Sequence, residues 1–537
     1  MKSESIRPIT AEYEEYLRDE SRTIGRAETI SFPKTKAEIA EILKQMNRQG
    51  ICVTIQGSRT GLAAAAVPNG GHVMNLSRMD HVTACRFDEK DGHFYFTVEP
   101  GVLLSELRKM IHQKRFDTEG WSEASMKDYV AFCRAEEQFF TPDPTEASAS
   151  IGGMTNCNAS GARSFHYGSV RAYISGIEIV LMDGDSISIR RGEHFAQGRK
   201  GVLQTDSGRM IEIPIPTYEM PKTKNASGYY AAEGMDLIDL FIGADGTLGV
   251  ISAIEIQLLP LPQIIWGVTA FFDEEGKALR YVRLLRGETL EECPKQYHVS
   301  AISAEFFNGD ALEILRQQKK TNSAFAQIHD IPPEYQTAIY VELHGEQEQE
   351  VTGRLLELGE MIEAVGGDAA DTWVAKSQTD LDRLMFFRHA IPECVNMLID
   401  RRKKKDPSIT KLGTDMAVPD TALEEIAQMY RRMLHQRGLQ SAIWGHVGNN
   451  HLHVNILPND AREYAEGKAL YREWARIISE KGGAVSAEHG VGKIKAEFLK
   501  VMYGEEAIGQ MRRLKKAFDP RYLLNVGNMF SKEEAAQ

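Results

Sequence analysis

"SIGGMTNCNASGARSFHYGSVR", residues 150–171, is the stretch on which the fold turns. Its glycines and small side chains let backbone N–H groups point into a concavity, the usual way of holding a phosphate or pyrophosphate. A single such stretch is as readily a set of tight turns. Two more accompany it, "QGSRTGL" (56–62) and "GADGTLGV" (243–250), and each of the three lies beside an apolar run that reads as a strand. Three together favour a ligand cradle. None matches G-x-x-x-x-G-K-[ST] or a G-x-G-x-x-G opening a helix, which disfavours a P-loop nucleotidase or a Rossmann dinucleotide enzyme.

Working outward, "KTKAEIAEILKQMNRQG" predicts a helix. Thr35 and Glu38 offer a capping box, Ile39, Ile42, Leu43 and Met46 line one face, and Gly50 follows the end. The β-branched run Ile51 to Ile55 then reads as a buried strand entering the first glycine turn. "FYFTVEPGV" and "ISGIEIVLMDGDSISI" predict further strands, the second with a hairpin signal at Asp183 and Gly184. "VISAIEIQLLPLP" is a strand ended by Pro260 and Pro262. There the texture changes to amphipathic helices ("KALRYVRLLR", "VTGRLLELGEMIEAVG", "TALEEIAQMYRRMLHQRG") alternating with strands such as "TAIYVELHG". An α+β architecture follows, with a first domain over 1–262, a second over 263–500 and a C-terminal segment over 501–537.

The 537 residues are 42% hydrophobic and 26% charged, a soluble globular composition. A formal charge of −13 argues against nucleic acid as a partner. The basic run "RRKKK" (401–405) reads as a solvated loop ahead of Asp406 and Pro407, or as a docking patch for an acidic partner or membrane surface. The six cysteines (Cys52, Cys85, Cys133, Cys157, Cys293, Cys394) form no C-x-x-C pair, so no iron–sulfur cluster or structural zinc knuckle is encoded. The polar N-terminus has no signal-peptide core, and no window of 18 apolar residues occurs. A cytoplasmic protein without a transmembrane segment is expected, with peripheral attachment at a membrane left open.

These motifs carry a resemblance. Residues 25–262 resemble the two-subdomain FAD-binding domain of the vanillyl-alcohol-oxidase superfamily, whose "GGGTGL"-like loop and "IGGM..TNASG" segment wrap the FAD pyrophosphate beside a "GSEGTLG"-like strand entry. The resemblance implies that FAD is held by Gly57, Ser58, Arg59, Thr60, Gly61 and Leu62, by Pro142, Asp143, Gly152, Gly153, Asn158, Ala159, Ser160 and Gly161, and by Gly243, Asp245, Gly246, Thr247 and Gly249. Ser58 and Arg59 replace two glycines of the commonest loop. No histidine stands there, so the flavin is expected to be non-covalent.

"GHVGNNHLHVNI" (445–456) and "SAEHGVGKIK" (486–495) extend the likeness to nearly the whole chain. They resemble the "GHxGDGNLHxN" and "GEHGxG" motifs of FAD-dependent D-2-hydroxy-acid dehydrogenases, a group including D-lactate dehydrogenases, glycolate oxidase flavin subunits and D-2-hydroxyglutarate dehydrogenases. "FDPRYLLNVGNMF" resembles that group's "DPxxxLNPGK" tail, with Val526 and Asn528 in place of Pro and Lys, and places Asn525 near the cofactor. The implied second domain is an α+β substrate cap.

Two histidines and a carboxylate leave coordination positions open, as a catalytic metal requires. The expected ligands are His446, His453 and Glu488, the ion being zinc first, with manganese or iron as alternatives. His489 is the candidate base. His451 stands where the family pattern has Asn; on a strand it shares a face with His453 and reads as a group orienting a ligand or the substrate. The bland reading is a solvated histidine cluster at a turn. Arg388, in "RLMFFRHAIPECVN", stands where the family clamps the substrate carboxylate. Lys411 is a further catalytic candidate and Asp415 a weaker one, both in "ITKLGTDMAVP"; Lys224, Asn225 and Tyr229 match a "KNxxGY" segment bordering the flavin.

The implied reaction is oxidation of a small 2-hydroxy acid by hydride transfer from Cα to flavin N5, with an external acceptor: an electron-transfer flavoprotein, a quinone or a partner subunit. A homodimer is compatible with the sequence. Two rivals stand beside it. One is a non-redox flavoenzyme like alkyl-dihydroxyacetone-phosphate synthase, disfavoured because the histidines are spaced H-V-G-N-N-H-L-H rather than contiguous. The other is a non-catalytic FAD subunit. Residues 121–140 read as either a lid or a surface insertion.

Overall fold

The computed structural model describes residues 6–531. The helix Lys36–Gln49 begins where Thr35 Oγ1 accepts the Glu38 N–H at 3.2 Å and ends at Gly50 in the left-handed region, with Ile39, Ile42, Leu43 and Met46 buried. The Ile51 N–H bonds back to Met46 O at 3.0 Å, so Ile51 belongs to the helix cap and the strand starts later, at Val53–Gln56. That strand lies at one edge of a four-stranded sheet, parallel to His72–Asn75, which runs parallel to Thr29–Ser31, which in turn pairs antiparallel with Ile6–Pro8.

The five-stranded antiparallel sheet has the order Val82–Asp88, His93–Val98, Val250–Gln257, Ile174–Val180, Ser186–Arg190. Ile174–Val180 and Ser186–Arg190 form the expected hairpin, with Gly184 at φ 79° in its turn. Helix Glu123–Arg134, from the 121–140 segment, packs on Val82–Asp88 within an aromatic cluster of Phe94, Phe116, Trp121, Tyr129 and Phe132. That cluster anchors the segment on the sheet, and none of residues 121–140 lines the cleft described below.

An eight-stranded antiparallel sheet opens at Ile264–Phe272. Its strands bury one face, including Val268, Phe306, Val341, Ile443 and Val454, against the helices Glu275–Leu285, Glu348–Ala364, Leu423–Gln436 and Ala461–Glu480. Because side chains alternate along a strand, the opposite face carries Glu305, Glu342, His344, His446, His451 and His453. The helices Gly309–Thr321 and Gln378–Lys403 cover part of it through Phe307, Phe387 and Ile391. Pro392 sits inside Gln378–Lys403 and cannot donate to the carbonyl four residues back, that of Arg388.

The chain then returns to the first half. Helix Ala496–Phe518 packs Leu499, Ile508, Met511 and Phe518 into the core of the five-stranded sheet, and Asn525 N donates to Val53 O at 2.8 Å. Among the described residues, no helix is long and apolar enough to cross a membrane.

Candidate active site

The strands Ser441–His446 and His451–Ile456 pair antiparallel with His446 opposite His451, which puts three imidazoles on the polar face of the larger sheet. Ring centroids are 4.3 Å apart for His451 and His453 and 5.5 Å from His446 to each. The loop after residue 485 brings Glu488 into their midst. Its Oε2 lies 3.3 Å from His446 Nε2 and 3.8 Å from His451 Nδ1, and its Oε1 lies 3.4 Å from His453 Nε2 and 3.3 Å from His489 Nε2. Lys224 Nζ donates to Oε2 at 2.6 Å.

Two of the three rings are held from behind. His446 Nδ1 is 2.6 Å from Glu305 Oε1 and His453 Nδ1 is 3.0 Å from Thr414 O, which turns both Nε2 atoms inward. Asp415 accepts from the backbone N–H groups of Glu488 and His489 at 3.2 and 3.1 Å, from Ser486 Oγ at 2.8 Å and from Lys495 Nζ. Its Oδ2 is 3.4 Å from His489 Nδ1. Burial alone would raise the Glu488 carboxyl, but Lys224 and His446 hold it well below the usual carboxylate range. Asp415 is likewise carried down against its burial by His489 and Lys495. Against its own burial, His446 beside Glu305 is raised to about 9, whereas burial and the neighbouring His453 push His451 well down.

Arg388 Nε donates to Glu305 Oε2 at 3.0 Å, and its Nη groups make no hydrogen bond to any described residue, leaving one edge of the fork free. Arg163 forms a parallel pair with Glu342 at 2.7 Å, backed by His344 at 2.7 Å. Burial raises both glutamates, yet their arginine and histidine neighbours bring each to about 2 from an ordinary 4.5. Because both pKa values are lower folded than unfolded, this stabilisation is complete above about 4.5 and is lost as pH falls through about 2. Acid unfolding followed by circular dichroism therefore steepens below pH 4.5, and Glu342→Gln flattens that slope.

A cleft of about 240 Å³ is lined by the loop at Gly57–Leu62, by Ser150, Gly153 and Gly246, and by Glu488 and His489. A Cβ on Gly57 would lie 2.1 Å from Ser150 Oγ, and Ser58 Oγ accepts the Ser150 N–H at 3.0 Å, so the loop and the start of helix Ile151–Cys157 form one continuous wall. Gln56 Nε2 ties the far side of the loop to Ala66 O at 2.7 Å.

Family comparison gives this cleft its meaning. Residues 27–119 and 124–190 match the model for an FAD binding domain, and residues 287–529 match that for the C-terminal domain of FAD linked oxidases. The chain belongs to the FAD-linked oxidases. Glycolate oxidase subunit GlcD of Bacillus subtilis is 25% identical over 94% of this chain and 89% of its own length. D-lactate dehydrogenase of Anaerostipes hadrus is 24% identical over 96% and 92%, and D-2-hydroxyglutarate dehydrogenase of Stutzerimonas stutzeri 25% over 94% and 90%. A solved structure of alkyldihydroxyacetonephosphate synthase superposes with a TM-score of 0.62 at 13% identity, over 98% of this chain and 82% of that one, a likeness of fold. The fold is α+β, an FAD-binding part of vanillyl-alcohol-oxidase type with a C-terminal cap.

In this FAD-linked oxidase, Gly57 to Leu62, Gly152, Gly153, Ser160, Gly246 and Asn525 line the cleft. Others named from the sequence stand behind it. A Cβ on Gly161 would lie 2.0 Å from Asp143 O and one on Gly249 2.3 Å from Ile179 Cγ2, so these glycines answer to packing. Asp143 accepts the Arg163 N–H at 3.1 Å, Pro142 O accepts from Arg108 at 2.9 Å, and Thr247 Oγ1 bonds the buried Tyr229 hydroxyl at 2.6 Å. Asn158 faces a second cavity of about 270 Å³, which shares Ser160 with the first and is bounded by Lys224 and Asn449. Asn525 joins Ile55 N at 2.7 Å to Asp245 O at 2.6 Å.

Among the described residues, Lys411 makes no hydrogen bond or ion pair with the histidine–carboxylate cluster; Trp444, which it approaches, is the cross-strand partner of His453. Lys411 sits 5.9 Å from the Trp444 ring, near Arg22 and Asp400, and forms no ion pair with a described residue; burial, with Arg22 adding to it, lowers its amine to about 8. In the basic run, Arg402 is tied to Leu457 O and Gln440, while Arg401, Lys404 and Lys405 are exposed. Glu305 went unnamed in the sequence reading. A charged residue beside the apolar Ala304, Phe306 and Phe307 in "SAEFFN" is the signal that could have marked it.

The fit of the cleft to FAD has a direct test. Gly57→Val drives a side chain into Ser150 at a cost of about 1–3 kcal/mol. The folded variant is expected to bind FAD about tenfold to a hundredfold more weakly by fluorescence titration. Wild-type affinity would remove the loop from the cofactor site.

Proposed function

We propose that this FAD-linked oxidase is a dehydrogenase of D-2-hydroxy acids, producing the 2-oxo acid and passing electrons to an external acceptor. The observation that supports the reading most is the position of His489, which lines the flavin cleft while its Nε2 lies 3.3 Å from the carboxylate around which the three histidines gather. An oxidation of CH–OH needs a base at the hydroxyl and a hydride acceptor at the carbon that bears it, and here one imidazole borders both the cleft and the carboxylate cluster.

FAD would supply the hydride acceptor for the Cα hydrogen, and His446, His453 and Glu488 would hold a divalent cation that would lower the pKa of the substrate hydroxyl. The donor set fits such an ion, since two imidazoles are fixed from behind with Nε2 inward and a carboxylate sits between them. The chain does the rest. The free edge of Arg388 binds the substrate carboxylate, while Glu305 holds its Nε and thereby aims it. His489 takes the hydroxyl proton at Nε2, steadied by Asp415 at Nδ1. Lys224 supplies fixed positive charge against Glu488 and limits build-up of negative charge in the site.

Steady-state turnover with an artificial dye acceptor, comparing D- and L-enantiomers of lactate, glycerate and 2-hydroxyglutarate along with glycolate, tests the reading. A D-acid that turns over to its 2-oxo acid, with the L-form at least about a hundredfold slower, a difference of about 2.7 kcal/mol, is expected. Turnover of none, with FAD bound, would contradict it.

A further inference from the structure

Resting on the reading of the cluster as a divalent-metal site, we propose that His451 is a fourth direct ligand, so that the ion sits among three imidazoles and one carboxylate. The sequence pattern has an amide at this position, and an amide would leave two histidines and a glutamate. His451 is 0% exposed, and neither ring nitrogen has a hydrogen bond, although Nε2 lies 3.0 Å from Asp415 Oδ1 outside hydrogen-bonding alignment. A buried polar group without a partner needs an explanation, and an absent cation is a standard one.

The geometry assigns the atoms. His446 and His453 each spend Nδ1 on Glu305 or Thr414, leaving Nε2 for the ion. His451 is arranged the other way round. Its Nδ1 is the nitrogen near Glu488 Oε2, at 3.8 Å, and Nε2 looks toward Asp415. Ligation through Nδ1 leaves an N–H at Nε2, and a small ring rotation aligns it on the Asp415 carboxylate, the support that metal-bound histidines ordinarily have. One ligand atom from each of His446, His451, His453 and Glu488 can be chosen so that all lie within 4.8 Å of one another.

Four protein donors change what the ion can do. Tetrahedral zinc would have every position filled, leaving none for a substrate oxygen. Manganese or iron, which accept five or six donors, keep one or two open. Activity then belongs to the manganese or iron form, with zinc as an inhibitor that competes for the site.

X-ray absorption at the manganese edge, on full-length FAD-loaded protein stripped with chelator and reloaded with Mn²⁺, counts imidazoles directly. Three are expected in the wild type and two in His451→Asn or His451→Gln. Both variants are expected to release Mn²⁺ to a chelator about tenfold to a hundredfold more readily. Two imidazoles in the wild type, or an unchanged chelator midpoint in the variants, overturns the proposal and leaves the metal site standing. No Mn²⁺ or other divalent uptake by the wild type overturns the metal site itself. The wild-type count holds whether or not the variants fold.

Discussion

His489→Asn lowers the rate of flavin reduction by a D-2-hydroxy acid by roughly 10²–10⁴-fold while FAD content and metal content stay at wild-type levels. His489 is the one imidazole of the cluster that also lines the flavin cleft, and it is tied to Asp415 at 3.4 Å and Glu488 at 3.3 Å. Asparagine keeps a polar side chain of similar reach and removes the basic nitrogen. Stopped-flow reduction under anaerobic conditions isolates the step from reoxidation. A reduction rate within tenfold of wild type would assign proton removal elsewhere.

Glu488→Gln has the second large effect, and it divides into two parts. Lys224 and Glu488 are both buried, their side chains 6% and 8% exposed, so the variant leaves an ammonium without its counter-ion. Breaking a buried pair on one side costs about 3–5 kcal/mol, read as a lowered denaturant midpoint in the metal-free protein. The variant also loses the carboxylate that all three histidines face, and divalent-metal affinity is expected to fall by more than about a hundredfold. Glu488→Gln combined with Lys224→Met separates the two: stability recovers as the orphaned charge is removed, and metal affinity does not. Recovery of both would make Glu488 a structural partner of Lys224 and nothing more.

Local features were legible in the sequence because their causes are local. The cap at Thr35, the buried stripe of Ile39, Ile42, Leu43 and Met46, and the left-handed Gly50 all lie within one helix. The turn at Asp183 and Gly184 needs only its flanking strands. The common face of His451 and His453 follows from strand alternation once the strand is recognised. What escaped reading is tertiary. Glu305 meets His446 across 141 positions and Lys224 meets Glu488 across 264, and no spacing rule reaches that far. Lys411 is four residues from Asp415, and its neighbours Trp444 and Arg22 come from distant parts of the chain that no local pattern could supply. Glycine is ambiguous for a similar reason: Gly57 shapes the cleft wall, whereas Gly161 and Gly249 make room for Asp143 and Ile179, and sequence alone cannot tell a ligand from a neighbouring backbone.

If one site joins flavin, acid and metal, the visible spectrum of the FAD-loaded protein under anaerobic conditions will show it, recorded before and after addition of single D- and L-2-hydroxy acids, with and without a chelator. At least one D-acid is expected to bleach the oxidised flavin band, its L-enantiomer is not, and chelator is expected to abolish the bleaching until divalent metal is restored. Bleaching that ignores the chelator would remove the metal from the chemistry, and a flavin that no 2-hydroxy acid reduces would contradict the account as a whole.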